Sequence, residues 1–201
     1  ELLNCANRLT LVGTATAGVN HLDTRYLDGQ GIYWMSAAGC NAQAVAEYVI
    51  SVLCNAHLEG ITNLNCARVG IVGAGYVGSA LSRLLDILGI DYVLYDPPLA
   101  EQGDERTFTD WQTILNCDVI TLHVPFVQDG AYPTDKMIDA EVLAGLSEQQ
   151  LLINACRGEV IDEVALKRRL MAGNGPTVVL DVFANEPDID ADLLQYLWLA
   201  T

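Results

Sequence analysis

The stretch Arg68-Val69-Gly70-Ile71-Val72-Gly73-Ala74-Gly75-Tyr76-Val77-Gly78 decides the reading of this sequence. Arg68–Val72 is a strand-length run, and Gly-x-Gly-x-x-Gly follows it at 73–78. Val77, Ala80, Leu81, Leu84, Leu85 and Leu88 then recur at helical spacing until Gly89 stops the helix. Strand, glycine turn and helix are the context in which that glycine pattern carries meaning. The first glycine permits the tight turn, the second lets a pyrophosphate approach the main chain, and the third allows close helix–strand packing. Free N–H groups at the helix start then face negative charge. An acid should end the following strand, and Asp96 does so, 23 residues after Gly73. Its carboxylate would accept from ribose hydroxyls and repel a 2′-phosphate, which favours NAD over NADP. On these residues alone, sites for S-adenosylmethionine or FAD and a glycine turn without a nucleotide remain open.

Downstream, strands and helices alternate. Asp91–Tyr95, Val119–Val124, Leu151–Asn154 and Thr177–Val182 read as strands, and Trp198–Thr201 as part of another. Thr109 with Gln112 suggests a capping box, and Asp162 an N-cap for a helix running to about Ala172. Near-continuous apolar strands alternating with helices predict an α/β fold, a doubly wound parallel sheet covered on both faces. Upstream, Leu9–Gly13 and Gly31–Met35 read as short strands, with a short helix near His21–Leu27. Asn41 caps a helix that is apolar on nearly every side, which predicts a buried connector. The boundary near residues 39–41 separates 1–40, part of a second domain, from 41–201.

Composition narrows the function. Apolar residues make up 51% of the 201 residues and charged ones 18%, so a disordered chain is excluded. No run approaches about 18 apolar residues, so no membrane-spanning helix is expected. The formal charge of −16 would repel a nucleic acid, and Lys167-Arg168-Arg169 reads as the cationic end of a helix. The six cysteines, at 5, 40, 54, 66, 117 and 156, form no Cys-x-x-Cys pair, and no His/Cys/carboxylate cluster suggests a metal. Reduced, mostly buried thiols in a cytoplasmic protein are expected. The absence of an initial Met and the apparent break in a strand at Thr201 read as an internal segment of a longer protein.

Ligands bind outside the carboxyl ends of strands in such sheets, which directs attention to three places. Arg157 follows Leu151–Asn154; it suits a bidentate grip on a carboxylate, or equally a surface ion pair with Glu159 or Asp162. Asp181 ends its strand and Glu186 lies five residues on; both suit ligand contacts, yet solvated carboxylates are common in so acidic a chain. His123 ends a strand and reads as a packing residue rather than a catalyst, while His21 and His57 lie far from the glycine turn in sequence.

Together Gly73–Gly78, Leu122-His123-Val124-Pro125, Asn154-Ala155-Cys156-Arg157-Gly158 and Asp181-Val182-Phe183-Ala184-Asn185-Glu186-Pro187 resemble the D-isomer-specific 2-hydroxyacid dehydrogenases. The resemblance covers essentially the whole chain. It implies a Rossmann-type NAD domain beside a flavodoxin-like substrate domain, and NAD bound by Gly73, Gly75, Tyr76, Val77, Gly78, Asp96, Val124, Ala155, Cys156, Arg157 and Asp181. It implies that Arg157 binds the substrate's carboxylate and hydroxyl oxygen, that Glu186 orients a catalytic His following Thr201, and that Thr16 touches the substrate. Tyr76 stands where the family usually has Asn or a cation, and Val124 where its nearer members have Thr. Narrower motifs, Val12-Gly13-Thr14-Ala15-Thr16-Ala17-Gly18 and Ala38-Gly39-Cys40-Asn41-Ala42, imply a phosphorylated 2-hydroxy acid as substrate, 4-phospho-D-erythronate, and a homodimer formed through regions outside this segment. Another D-2-hydroxyacid dehydrogenase, of glycerate or phosphoglycerate type, and a non-catalytic NAD-sensing module on the same fold are the alternatives.

Overall fold

A computed structural model describes residues 8–19 and 21–201; Cys5 lies outside them. The chain divides into two compact units, residues 1–42 and 43–201. In the first, β1 (Leu11–Thr14) pairs in parallel with β2 (Tyr33–Ser36), Leu11 opposite Tyr33. Between them α1 (Thr24–Gly29) starts on Asp23, whose carboxylate accepts from the Tyr26 N–H, and buries Leu27 completely. The two strands leave Tyr33 78% and Met35 59% exposed.

The second unit begins within α2 (Ala42–Leu58) and continues β3 (Arg68–Val72), α3 (Tyr76–Leu88), β4 (Asp91–Tyr95), α4 (Pro97–Glu101), α5 (Trp111–Leu115), β5 (Val119–Leu122), α6 (Ala140–Gly145), β6 (Leu151–Asn154), α7 (Glu163–Met171), β7 (Thr177–Leu180), α8 (Ala191–Leu194) and β8 (Leu199–Ala200). Its six strands are all parallel, in the order β4-β3-β5-β6-β7-β8. This is the doubly wound α/β sheet. The chain leaves β3 for β4 on one side and returns past β3 to β5 on the other. The switch point is therefore at the carboxyl ends of β3 and β5. Phe108 extends the β4 edge by a single parallel bridge to Leu94.

The strands read as unbroken apolar runs because each one feeds two cores. Val119, Leu151, Ile153 and Val179 pack with Ala46, Leu53, Leu81 and Leu85 on one face. Ile120, Leu122, Leu152, Val178 and Leu180 pack with Ile114, Leu143 and Leu166 on the other.

Three local expectations need correction. The connector helix is amphipathic rather than buried all round: Ala42, Ala46, Val49, Leu53 and Ala56 form its inner stripe, whereas Cys54 and Leu58 face solvent. Nor are the described cysteines mostly buried. Cys40, Cys54 and Cys66 are exposed and only Cys117 and Cys156 are buried, all five as free thiols. The cap of α5 is Asp110 and not Thr109, because the Asp110 carboxylate reaches the Thr113 N–H at 2.7 Å.

Candidate functional site

Aspartates start α4, α5, α6, α7 and α8, and each side chain accepts from its own helix's first turn. Helix α3 differs. It begins on Gly75 with no side-chain cap, so its first N–H groups are left for something else. Gly73 is held at φ +93° with its Cα against the main chain of His123: a Cβ there would lie 2.6 Å from the His123 carbonyl oxygen. A Cβ on Gly78 would meet the Gly73 carbonyl oxygen at 2.1 Å, so helix and turn touch only because that side chain is missing. Gly75 has nothing within 4 Å of where its Cβ would be. The open side of the turn and the uncapped helix start fit a pyrophosphate.

Asp96 ends β4 as expected. Its Oδ2 accepts from the Ala74 N–H at 2.8 Å and its Oδ1 from the Leu99 N–H at 3.1 Å. Each oxygen keeps a further lone pair for a ribose hydroxyl. Beside it lies a cleft of about 270 Å³ walled by Tyr95, Pro98, Val124, Tyr132 and Met137, which suits an adenine. A wider cleft of about 480 Å³ is lined by Asp135, Glu159, Asp162, Glu163 and Asp190 together with two paired lysines; those carboxylates would repel a diphosphate.

The loop after β6 is built on Asn154, which is fully buried. Its Nδ2 donates to the Arg157 carbonyl at 2.8 Å, and its Oδ1 accepts from the Cys156 N–H and thiol, both at 3.2 Å. Cys156 itself is buried, which pushes its thiol up to about 11, so it is a packing group rather than a nucleophile. Ala155 and Arg157 are half-buried on either side of it. The Arg157 guanidinium donates to the Cys156 carbonyl at 2.6 Å, and among the described residues it forms no ion pair. Asp162 caps α7 and faces Lys136 at 3.5 Å, so the surface-pair reading of Arg157 has no partner there.

Gly158 then decides which loops meet. A Cβ on it would stand 2.0 Å from the Phe183 carbonyl carbon, so the main chains after β6 and β7 lie against one another. The Phe183 N–H donates to Glu186 Oε1 at 2.8 Å, which fixes the exposed Glu186 carboxylate on that same loop. Asp181, at the end of β7, accepts from the Thr201 hydroxyl at 2.6 Å, and that hydroxyl also meets the Tyr48 hydroxyl at 3.1 Å. Val124 lies just beyond the end of β5 and lines the same cleft as Asp96. Tyr76 and Val77 open α3, with the Tyr76 ring 68% exposed. Thus Gly73, Asp96, Val124, Arg157, Asp181 and Glu186 all stand at the carboxyl edge of one sheet. His123 sits under them. Its Nε2 meets the Thr121 hydroxyl at 2.9 Å, its Nδ1 is buried with no partner among the described residues, and burial pushes the imidazole down to about 4.

In the first unit Thr16 donates to the Gly18 carbonyl at 2.8 Å and meets the Thr14 hydroxyl at 2.8 Å. That hydroxyl also meets His21 Nε2 at 3.0 Å, so His21 belongs to the same polar cluster as Thr16. Among the described residues no group of three His, Cys, Asp or Glu side chains could hold a metal ion. No helix among them is long and apolar enough to cross a membrane.

Sequence reasoning passed over Asn154, Gly158 and Thr201. Asn154 and Gly158 stood inside a quoted motif, but their contacts with the two loops were not readable from spacing.

An uncapped glycine turn at the switch point, an acid at the end of the next strand and a cleft beside it define a dinucleotide-binding α/β domain. Residues 42–198 match the D-isomer specific 2-hydroxyacid dehydrogenase, NAD binding domain, and the chain belongs to that family. It is 53% identical, over its whole length and 54% of the relative's, to the erythronate-4-phosphate dehydrogenase of Pseudoalteromonas atlantica. It is 50% identical, over 96% of this chain and 51% of the relative, to that of Marinobacter nauticus. The chain thus spans about half the length of the curated relatives it matches. Among solved structures, a NADPH-dependent glyoxylate/hydroxypyruvate reductase from Sinorhizobium meliloti in complex with NADP and malonate superposes with a TM-score of 0.79 at 25% identity, covering 96% of this chain and 66% of that one. The D-lactate dehydrogenase of Aquifex aeolicus, solved with NAD and lactic acid, has a TM-score of 0.77 at 24% identity, covering 99% and 71%, and shares the fold.

Proposed function

We propose that the protein carrying this chain oxidises 4-phospho-D-erythronate at C2 to the corresponding 2-oxo acid, with NAD as oxidant, in the synthesis of pyridoxal 5′-phosphate. The observation that carries this is the 53% identity, along all 201 residues, with an erythronate-4-phosphate dehydrogenase. The bound nicotinamide supplies the hydride acceptor. This chain's residues do the rest. Arg157 grips the substrate carboxylate and stabilises the oxygen that gains negative charge as C2 becomes a carbonyl. The hydroxyl proton leaves to a histidine that Glu186 orients and makes more basic. Thr16 contacts the substrate. The Ala155–Arg157 loop and Asp181 flank the nicotinamide half of the cofactor, while Gly73–Gly78, Val124 and Asp96 hold the adenosine diphosphate half. Residues 1–40 belong to the substrate domain and 41–201 to the cofactor domain. The protein works as a cytoplasmic homodimer.

The test is a steady-state assay of the full-length protein with 4-phospho-D-erythronate, 3-phosphoglycerate and D-glycerate, each with NAD and NADP. The expected result is preference for the four-carbon phosphate ester and for NAD. Asp96→Ala should erode the preference for NAD over NADP, since the repelling carboxylate is gone. A best rate on glycerate would assign another dehydrogenase of the family, and NAD binding without turnover would favour a sensing module.

A further inference from the structure

Arg106 belongs to none of the motifs quoted above and lies on the segment between α4 and α5. The structure nevertheless ties it to the glycine turn. Its Nη1 donates to the Ala74 carbonyl at 2.9 Å and to Ser79 Oγ at 2.8 Å, and Ser79 Oγ itself donates to the same carbonyl at 2.9 Å. Nε and Nη2 are taken by the two carboxylate oxygens of Asp104, each at 2.8 Å. The guanidinium carbon lies 5.6 Å from the centre of the Phe108 ring, and Phe108 is bridged to β4. The pair is tight enough that its hydrogen bonds bring the Asp104 carboxyl down to about 2.

The consequence follows from peptide geometry. The Ala74 carbonyl and the Gly75 N–H belong to one planar trans unit, so they point in opposite directions. Locking the carbonyl on Arg106 and Ser79 therefore aims the Gly75 N–H the other way. The preceding peptide is locked as well, because the Ala74 N–H donates to Asp96. Two successive peptides of the turn are thus fixed by side chains, one from the ribose-facing acid and one from a cation with no other assigned role.

We propose that Arg106, braced by Asp104, is a positioning residue for the dinucleotide: it sets the direction of the Gly75 N–H so that the turn receives a diphosphate without rearranging. The inference rests on reading residues 73–78 as the cofactor loop. A diphosphate is the chemistry that gains from it, since preorganised N–H groups bind an anion without the cost of ordering.

The experiment compares the full-length wild type with Arg106→Gln, Arg106→Lys and Asp104→Asn. Each is titrated calorimetrically with NAD and ADP-ribose, and with adenosine by ligand-observed NMR, at a temperature where circular dichroism shows all chains folded. Arg106→Gln should weaken ADP-ribose and NAD by about 10-fold or more, while adenosine, which lacks the diphosphate, changes by less than about 2-fold. Arg106→Lys should be nearly as weak, because an ammonium keeps the charge but cannot hold Asp104 and two loop oxygens at once. Asp104→Asn, which keeps Arg106 but frees it, should lose a smaller part and serves if Arg106→Gln does not fold. Wild-type affinity for ADP-ribose in Arg106→Gln, or in Asp104→Asn should Arg106→Gln not fold, overturns the proposal. So does wild-type affinity in Arg106→Lys, which would make Arg106 a simple charge, or an equal loss for adenosine. A wild type that binds neither NAD nor ADP-ribose would overturn the cofactor reading itself, and this inference with it.

Discussion

Arg157 shows how much of a role can rest on one planar group. Its stem emerges from a loop that Asn154 fixes through the Arg157 carbonyl, and no described carboxylate neutralises it. Replacing it with Lys retains the charge and loses the fork, so turnover should fall sharply while NAD affinity moves little; Arg157→Ala should lose about 10²–10³-fold. Near-normal turnover in either variant, measured at saturating substrate, would return Arg157 to a surface role. His123 makes a different prediction. Its imidazole is buried neutral with a value near 4 against an ordinary 6.5. Between those values the unfolded chain holds more protons than the folded one, so this residue makes stability rise with pH across that window. The contribution is complete above about pH 6.5 and lost as pH falls toward 4, and it amounts at most to about 3 kcal/mol. Urea titrations at pH 4.5 and 7 should show a smaller difference in His123→Gln. Glu163, raised chiefly by burial, works in the opposite sense and stays as background in both proteins.

Elements are aligned here by what their ends can tolerate. Helices that start on aspartate are closed by their own caps; α3, starting on glycine, is open to a ligand. The loops after β6 and β7 come together because Gly158 has no side chain. Gly158→Ala should therefore push them apart, lowering stability by about 1–3 kcal/mol or more and reducing turnover beyond what the stability loss explains, since it separates Arg157 from Glu186. Chemical denaturation together with kinetics at a temperature where the variant is folded would check both parts. Unchanged values for stability and turnover would mean that the two loops accommodate a methyl group and that their contact does not position the site.

At the scale of the whole molecule, the chain spans about half the length of the curated relatives it matches, and the proposed activity is that of a protein of their length. Residues 1–201 expressed alone are expected to bind NAD, to self-associate through the exposed Tyr33 and Met35, and not to oxidise 4-phospho-D-erythronate. Among the described residues, His123 is neutral with its Nδ1 buried, and His57, on the connector helix, turns its Nδ1 to the Thr62 carbonyl. Side-by-side assays of residues 1–201 and the full-length protein decide it; robust oxidation by residues 1–201 would bring His21, already in the Thr16 cluster, forward as the base. The amino-acid sequence alone determined the parallel α/β sheet, the glycine turn and Asp96, because those rest on local physics: two-sided strands have to be apolar throughout, and a turn with its Cα against a neighbouring main chain has to be glycine. It raised Arg157 and Glu186 as candidates from their places after strand ends, and gave them roles only through motif resemblance. Tertiary structure alone decided that Gly158 brings two loops together and that Arg106 reaches the Ala74 carbonyl from 32 residues away. Those contacts join residues distant along the chain through the packing of parallel strands, and no periodicity or spacing in the sequence encodes such a meeting.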